Sequence, residues 1–279
     1  MDLQQIDRKL IIDTEVTQLV LTKFLQNEIT KAGFKRAVLG LSGGIDSALS
    51  CYLAVAALGA ENVLALRLPY RTSSPESLAH AQLVIDTLGI PSETIDITDM
   101  VEPLFTQSPD ITPHRKGNIM ARARMIVIYD RSAAWQGLVV GTSNKTELLL
   151  GYGTIYGDLA SAVNPIGDLY KTQVRQLARA MGVPEPILQK APSADLIPGQ
   201  TDEGDLGFSY TEVDRLLYLL VDERYSPEEA VAAGFARPFV NRVLELVRRN
   251  HYKRTLPVIP KISDRTIGHD FRYLRDWGT

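Results

Sequence analysis

Cysteine is almost missing from this chain: Cys51 is the single one in 279 residues. A lone thiol cannot pair within the chain, so a disulfide framework and a cysteine-rich zinc site are both excluded. No apolar run approaches the roughly 20 residues that a membrane-spanning helix needs, and the opening MDLQQIDRKL lacks the basic-then-apolar pattern of a leader. The expectation is a soluble protein of the cytoplasm with no membrane partner. Positive charge is also scarce, because 30 Lys and Arg are set against 33 Asp and Glu for a net charge of −3. That balance argues against a protein that coats nucleic acid. No internal repeat or low-complexity tract is present. What remains is an ordinary globular composition, 45% hydrophobic and 23% charged, which excludes disordered and coiled-coil classes. A single domain over 1–279 is expected.

The distribution of charge is more informative than its sum. From Asn241 onward Arg242, Arg248, Arg249, Lys253, Arg254, Lys261, Arg265, Arg272 and Arg275 face Glu245, Asp264, Asp270 and Asp276. A basic tail on an acidic body suits a small polyanionic ligand, although on charge alone a solvated helix face is the simpler reading.

Helical and strand signals alternate along most of the chain. The spacing predicts a helix from Asp13 to Lys31 with Val16, Leu19, Val20, Phe24 and Leu25 on its core face, then a buried strand from Ala37. Further helices are expected over Asp46–Leu58, Pro75–Leu88 (Ser74 as N-cap) and Asn118–Trp135, with strands at Asn62–Leu68, Glu93–Ile97 and Leu138–Gly141. This alternation predicts an α/β fold: a doubly wound parallel sheet with helices on both faces, followed by a helical C-terminal part. Two Gly- and Pro-rich connections, Gly151–Asp168 and Pro192–Gly207, exceed the length of passive loops and are expected as active-site walls.

The string Leu39-Gly-Leu-Ser-Gly-Gly-Ile-Asp-Ser-Ala48 lies between the first strand and the first helix of the sheet. Ligands of open α/β sheets bind beyond the carboxyl ends of strands, and paired glycines let backbone N–H groups converge on an anion at a helix N-terminus. The residues Gly40, Leu41, Ser42, Gly43, Gly44, Ile45, Asp46 and Ser47 are therefore a candidate phosphate loop. Its spacing matches neither a Walker loop nor a dinucleotide fingerprint. Asp46 beside phosphates calls for an intervening cation, and Mg²⁺ is the fitting one. A plain helix cap with a glycine turn is the structural alternative.

The Ser-Gly-Gly-Ile-Asp-Ser segment resembles the pyrophosphate loop of the N-type ATP pyrophosphatases, with their Rossmann-like fold. Together with Arg67-Leu-Pro, Lys116-Gly-Asn-Ile-Met-Ala-Arg-Ala-Arg-Met125, Gly141-Thr-Ser-Asn-Lys-Thr-Glu147, Asp168-Leu-Tyr-Lys-Thr-Gln-Val174, Ala191-Pro-Ser-Ala-Asp-Leu196 and Asp202-Glu-Gly-Asp-Leu-Gly207, it is similar to the NAD synthetase family from about Leu10 to Pro257. The resemblance implies that ATP adenylates the nicotinate carboxylate of deamido-NAD, that pyrophosphate leaves, and that ammonia displaces AMP to form NAD.

It implies Asp46 and Glu147 as Mg²⁺ ligands, and Arg67, Thr142, Lys171 and Ser193 as further ATP contacts. Deamido-NAD would be held by Arg122, Lys253 and Arg254, whose charges suit its phosphates, with Asp158 as a substrate or ammonia residue. Structural roles stand beside these: Thr142 capping a helix that opens at Ser143, Ser193 holding a turn, Lys171 on a solvated helix face, Arg122 in surface salt bridges, and Asp158 forming a turn. Many ammonia-dependent members carry lysine where this chain has Ile155 and aspartate where it has Ala162, so those two contacts do not carry over.

Glutamine-dependent relatives add an amidase domain with a nucleophilic cysteine. This chain shows none, and Cys51 lies among alanines in a predicted helix, so ammonia is the expected nitrogen donor, free or delivered by a separate amidase chain. The resemblance also implies a homodimer with deamido-NAD at its interface. The alternative function is a tRNA-modifying enzyme of the lysidine synthetase or thiolase type, which shares the loop but usually adds a basic RNA-binding domain or cysteine pairs. A silent nucleotide-binding module is the third reading.

Overall fold

The computed structural model describes residues 1–193, 201–262, 264 and 266. Arg265, Arg272, Arg275, Asp270 and Asp276 of the charged tail, and Ala194-Asp195-Leu196 of one motif, lie outside the described residues. Four strands, β1 (Arg36–Gly40), β2 (Val63–Arg67), β3 (Ser92–Thr94) and β4 (Gly137–Val139), form a parallel sheet in the order β3-β2-β1-β4. Ala37 lies beside Val63 on one side of β1, and Arg36 beside Gly137 on the other.

The helices are α1 (Leu3–Lys9), α2 (Thr14–Lys31), α3 (Ile45–Leu58), α4 (Pro75–Leu88), α5 (Thr98–Thr106), α6 (Pro113–Trp135), α7 (Lys145–Leu150), α8 (Lys171–Ala180), α9 (Glu185–Gln189), α10 (Asp202–Leu206), α11 (Tyr210–Leu217), α12 (Pro227–Ala232) and α13 (Arg237–Arg249). Because side chains alternate across a strand, Ala37 and Leu39 enter one core with α2, α3 and α8, while Val38 enters another with α5 and α6. Burial on both faces explains why the central strands read as continuous apolar runs. A third core joins α1, α11, α12 and α13 to Leu150 and Tyr170, and is the helical C-terminal part. Among the described residues no helix is long and apolar enough to cross a membrane.

Three sequence expectations shift. The strand expected at Glu93–Ile97 is the short edge strand β3; Ile95 and Ile97 still donate to Arg67 and Pro69, but Asp96 already accepts from the Thr98 N–H that opens α5. Helix α6 begins at Pro113, five residues before the expected Asn118, because Thr112 caps it and Pro113 suits its first turn. Helix α2 turns a different face inward, and of its five expected core residues Leu25 alone is buried. Leu25 and Ile29 are buried, with Leu21 packed beside them, whereas Val16, Leu19 and Val20 are 55%, 60% and 57% exposed and Phe24 is also exposed. The helix carries two apolar stripes about 180° apart, so periodicity alone does not choose between them.

Strand order reverses between β1 and β4: successive crossovers run outward from β1 through β2 to β3, then return to β1's free side. The connections leaving the carboxyl ends of β1 and β4 therefore diverge, and the crevice between them is where an α/β sheet receives a ligand.

Candidate active site

The loop after β1 is held by its own hydroxyls. Ser47 Oγ donates to the Gly44 carbonyl at 3.0 Å and accepts the Ser42 N–H at 3.2 Å; the Gly44 N–H reaches Ser42 Oγ at 3.3 Å. Gly43 has φ +79°, and a Cβ there would stand 2.1 Å from the Ser77 carbonyl of α4. Both backbone conformation and close approach thus require glycine. Gly44 caps α3 without a side chain, so the first-turn N–H groups of this 14-residue helix are left to meet an anion.

Three charged side chains converge beside the loop. Asp46 comes from the first turn of α3, Glu147 from α7 and Lys171 from the start of α8. The Lys171 ammonium is 2% exposed; it pairs with Asp46 Oδ2 and lies 3.4 Å from Glu147 Oε1. This burial removes the solvated-face reading of Lys171. Asn144, the N-cap of α7, joins the two acids: its Nδ2 donates to Asp46 Oδ1 at 2.8 Å, and its Oδ1 accepts the Glu147 N–H at 3.0 Å. Helix α7 thus opens at Lys145 under Asn144, and Thr142 does not cap it. Burial, reinforced by the charge of Asp46, holds the Glu147 carboxyl above the usual carboxylate range despite Lys171. Burial alone would lower Lys171, but Asp46 and Glu147 outweigh it and keep the lysine cationic.

Helix α11 supports this cluster from the C-terminal core. The Tyr210 ring lies 5.0 Å from the Lys171 ammonium, and its hydroxyl donates to Asp202 at 3.0 Å. One turn later, the fully buried Asp214 accepts from Thr146 Oγ1 at 2.6 Å and from the Thr172 N–H at 2.8 Å. Thr146 Oγ1 in turn accepts the Lys171 N–H at 3.0 Å. The backbone beneath both Glu147 and Lys171 is therefore pinned to one carboxylate.

A cleft of about 850 Å³ opens over these groups. It is lined by Gly40, Leu41, Ser42, Gly44, Ile45, Asp46, Ser47, Thr142, Glu147, Asp158, Lys171, Ser193 and Lys253, and both long connections contribute walls, one through residues 151–154, Gly157 and Asp158 and the other through Pro192, Ser193, Asp202 and Asp205. Asp158 does form a turn, accepting the Thr154 N–H at 2.6 Å. The Lys253 ammonium donates to the Gly151 and Gly153 carbonyls at 2.8 and 2.9 Å.

Four predicted residues are absent from the lining: Gly43, which packs behind the loop against Ser77, and three arginines. Arg67 turns toward Gln82 of α4. Arg122 is exposed and holds the Ile155 carbonyl at 3.3 Å, while Arg124, two positions on, lines the cleft and donates to the Leu68 carbonyl at 2.9 Å. Arg254 donates to the Leu148, Leu149 and Val247 carbonyls at 3.3, 3.1 and 3.4 Å, tying the end of α7 to α13. Neither Ile155 nor Ala162 lines the cleft. Lys190, Arg124, Asn144, Asp202 and Asn118 are cleft or site residues to which sequence reasoning assigned no site role. Asn144 with Glu147 is a capping box readable from its spacing. Lys190 directly precedes the quoted Ala191-Pro-Ser segment.

The NAD synthase family model matches residues 17–257. A curated NH₃-dependent NAD⁺ synthetase of Trichlorobacter lovleyi is 60% identical over 270 residues, covering 97% of this chain and 99% of that protein. Among solved structures, an NH₃-dependent NAD synthetase from Campylobacter jejuni, in complex with nitrate, matches with TM-score 0.78 and 35% identity over 90% of this chain and 100% of its own. An NMN synthetase from Francisella tularensis matches with TM-score 0.80 and 32% identity over the same shares.

Proposed function

The chain belongs to the NAD synthase family, and from that premise we propose that it amidates deamido-NAD to NAD with ATP and ammonia, as a ligase forming a carbon–nitrogen bond. The observation that carries this reading is the convergence of Asp46, Glu147 and Lys171 on a phosphate-shaped loop at the sheet's switch point. The family match over most of the chain sets the tRNA-modifying alternative aside.

A carboxylate is a poor electrophile, and adenylation repairs this. The nicotinate oxygen attacks the α-phosphorus of ATP, the bond to the bridging oxygen breaks, and pyrophosphate departs with the electron pair. Ammonia then adds to the activated carbonyl and AMP leaves. In this scheme the Ser42–Ser47 loop and the start of α3 hold pyrophosphate, while Thr142 and Ser193 contact ATP. Lys253, Arg124 and Asp158 face the substrate. Two carboxylates beside a phosphate loop suit Mg²⁺, which binds through one or two carboxylates and substrate phosphates. Asp46 and Glu147 would hold it, and it would neutralise polyphosphate charge. Lys171 is kept cationic by the same acids and supplies a second charge to the phosphates.

Free ammonia is the proposed donor, since Cys51 is fully buried and its thiol is pushed up to about 12 by burial, far from a nucleophilic thiolate. A separate amidase chain remains a compatible source. We further propose a cytoplasmic homodimer with 1–279 as its unit. Arg122, Ile126 and Tyr129 stand at helical spacing on α6, with Ile126 and Tyr129 exposed; a second copy covering them would bring Arg122 to a dinucleotide shared across the interface.

The test supplies purified protein with ATP, Mg²⁺ and either deamido-NAD or nicotinate mononucleotide, with ammonium or glutamine. Dinucleotide amidation with ammonium is the expected result. Exclusive use of the mononucleotide would reassign the substrate, and no pyrophosphate release with either would refute the reading.

A further inference from the structure

The loop that would receive pyrophosphate contains no cation of its own. Between Gly40 and Ser47 the only charge is Asp46, and its serine hydroxyls are engaged within the loop. A Walker loop carries its own lysine toward the terminal phosphates, so here the charge must come from another part of the chain. Lys171 supplies one such charge but shares it with Asp46 and Glu147. Lys253 lies against the carbonyls of Gly151 and Gly153, and Arg124 against that of Leu68.

Lys190 differs from all three. It lines the cleft just after α9, and its ammonium donates to Ser77 Oγ at 2.7 Å. Among the described residues no carboxylate pairs with it. Ser77 is itself buried, in the first turn of α4, and its carbonyl is the atom that excludes any side chain at Gly43. Lys190 is thus anchored through one serine to the back of the phosphate loop. An ammonium has three hydrogens, and one neutral hydroxyl acceptor leaves two for a ligand.

We infer that Lys190 is a binding residue for the β- and γ-phosphates of ATP, retaining pyrophosphate as it leaves; this rests on the reading of Ser42–Ser47 as the pyrophosphate site. As the α-phosphorus bond breaks, negative charge grows on the bridging oxygen of the departing group. A cation positioned before the reaction, in a cleft where water is limited, compensates that charge without reorganising. Ser77 orients the ammonium.

The experiment compares Lys190→Met and Lys190→Arg with the intact enzyme, measuring inhibition by inorganic pyrophosphate, inhibition by AMP, the ATP KM and the thermal midpoint. Lys190→Met should weaken pyrophosphate inhibition about tenfold or more, the loss of one charge-assisted contact, and raise the ATP KM. AMP inhibition and the midpoint should hold, and Lys190→Arg should recover most of the loss. Undiminished pyrophosphate inhibition of Lys190→Met would overturn the assignment. So would an equal loss for AMP and pyrophosphate with a lowered midpoint, which marks a structural residue. If pyrophosphate fails to compete with ATP on the unaltered enzyme, the pyrophosphate-loop reading itself falls, and Lys190's role with it.

Discussion

Replacing Arg254 with alanine separates two roles that its position in the basic tail makes equally plausible. If its guanidinium binds a phosphate of the dinucleotide, the loss falls on affinity; if it ties α7 to α13, the loss falls on stability. Three carbonyls accept from it at 3.1–3.4 Å, two of them in the last turn of α7. Hydrogen bonds from a charged donor contribute about 1.5–3 kcal/mol each when short, and these are long and half-buried, so about 1 kcal/mol apiece is the working value. A cation at a helix C-terminus adds about 0.3–1 kcal/mol. The sum, about 3–4 kcal/mol, corresponds to a fall of roughly 6–8 °C in Tm at about 2 °C per kcal/mol for a domain of this size. Thermal denaturation reads that fall, and calorimetric titration with deamido-NAD should show affinity changed less than about threefold. An unaltered Tm with binding weakened ten- to a hundredfold, about what one charged contact contributes, would refute the structural role and return Arg254 to the phosphates.

Asp46→Asn and Glu147→Gln keep side-chain size and remove the charge that suits Mg²⁺; each should nearly abolish pyrophosphate release while circular dichroism stays unchanged, and near-normal release by either would dismiss the metal assignment. Gly43→Ala places a methyl 2.1 Å from the Ser77 carbonyl at φ +79°, costing about 1–2 kcal/mol for the backbone alone; displacing the loop by the order of 1 Å should cut ATP turnover about 100-fold, and wild-type turnover would contradict the close packing. Cys51→Ala should retain ammonium-dependent activity, and thiol reagents should leave the native enzyme active. Turnover with glutamine that vanishes in Cys51→Ala would overturn the donor assignment.

The glycine loop between β1 and α3 was legible in the sequence because its information is local: an apolar run, two glycines and an Ala-rich helix follow one another directly. Lys171 and Asp46 are 125 positions apart, and no periodicity joins them; only the resemblance to a family brought them together. Lys253 and Arg254 show the limit of that method. Adjacent residues of one sign look interchangeable in a motif, yet on a tight 3₁₀ turn (His251–Arg254) one side chain lines the cleft and its neighbour caps a helix. In α2 the difficulty is different, since both faces are apolar and the choice between them is made by packing against α3 and α8.

The buttress formed by Tyr210 and Asp214 has a consequence for the order in which a newly made chain becomes competent. Synthesis delivers the sheet, the phosphate loop, Glu147 and Lys171 before α11 exists. Until α11 docks, the Thr172 N–H and Thr146 hydroxyl have no Asp214 carboxylate to hold them, and the ammonium lacks its aromatic neighbour. A nascent chain that has already folded its nucleotide crevice is thus still without a fixed charge cluster. The last helices thus complete the support beneath Glu147 and Lys171, and an unfinished copy is without it.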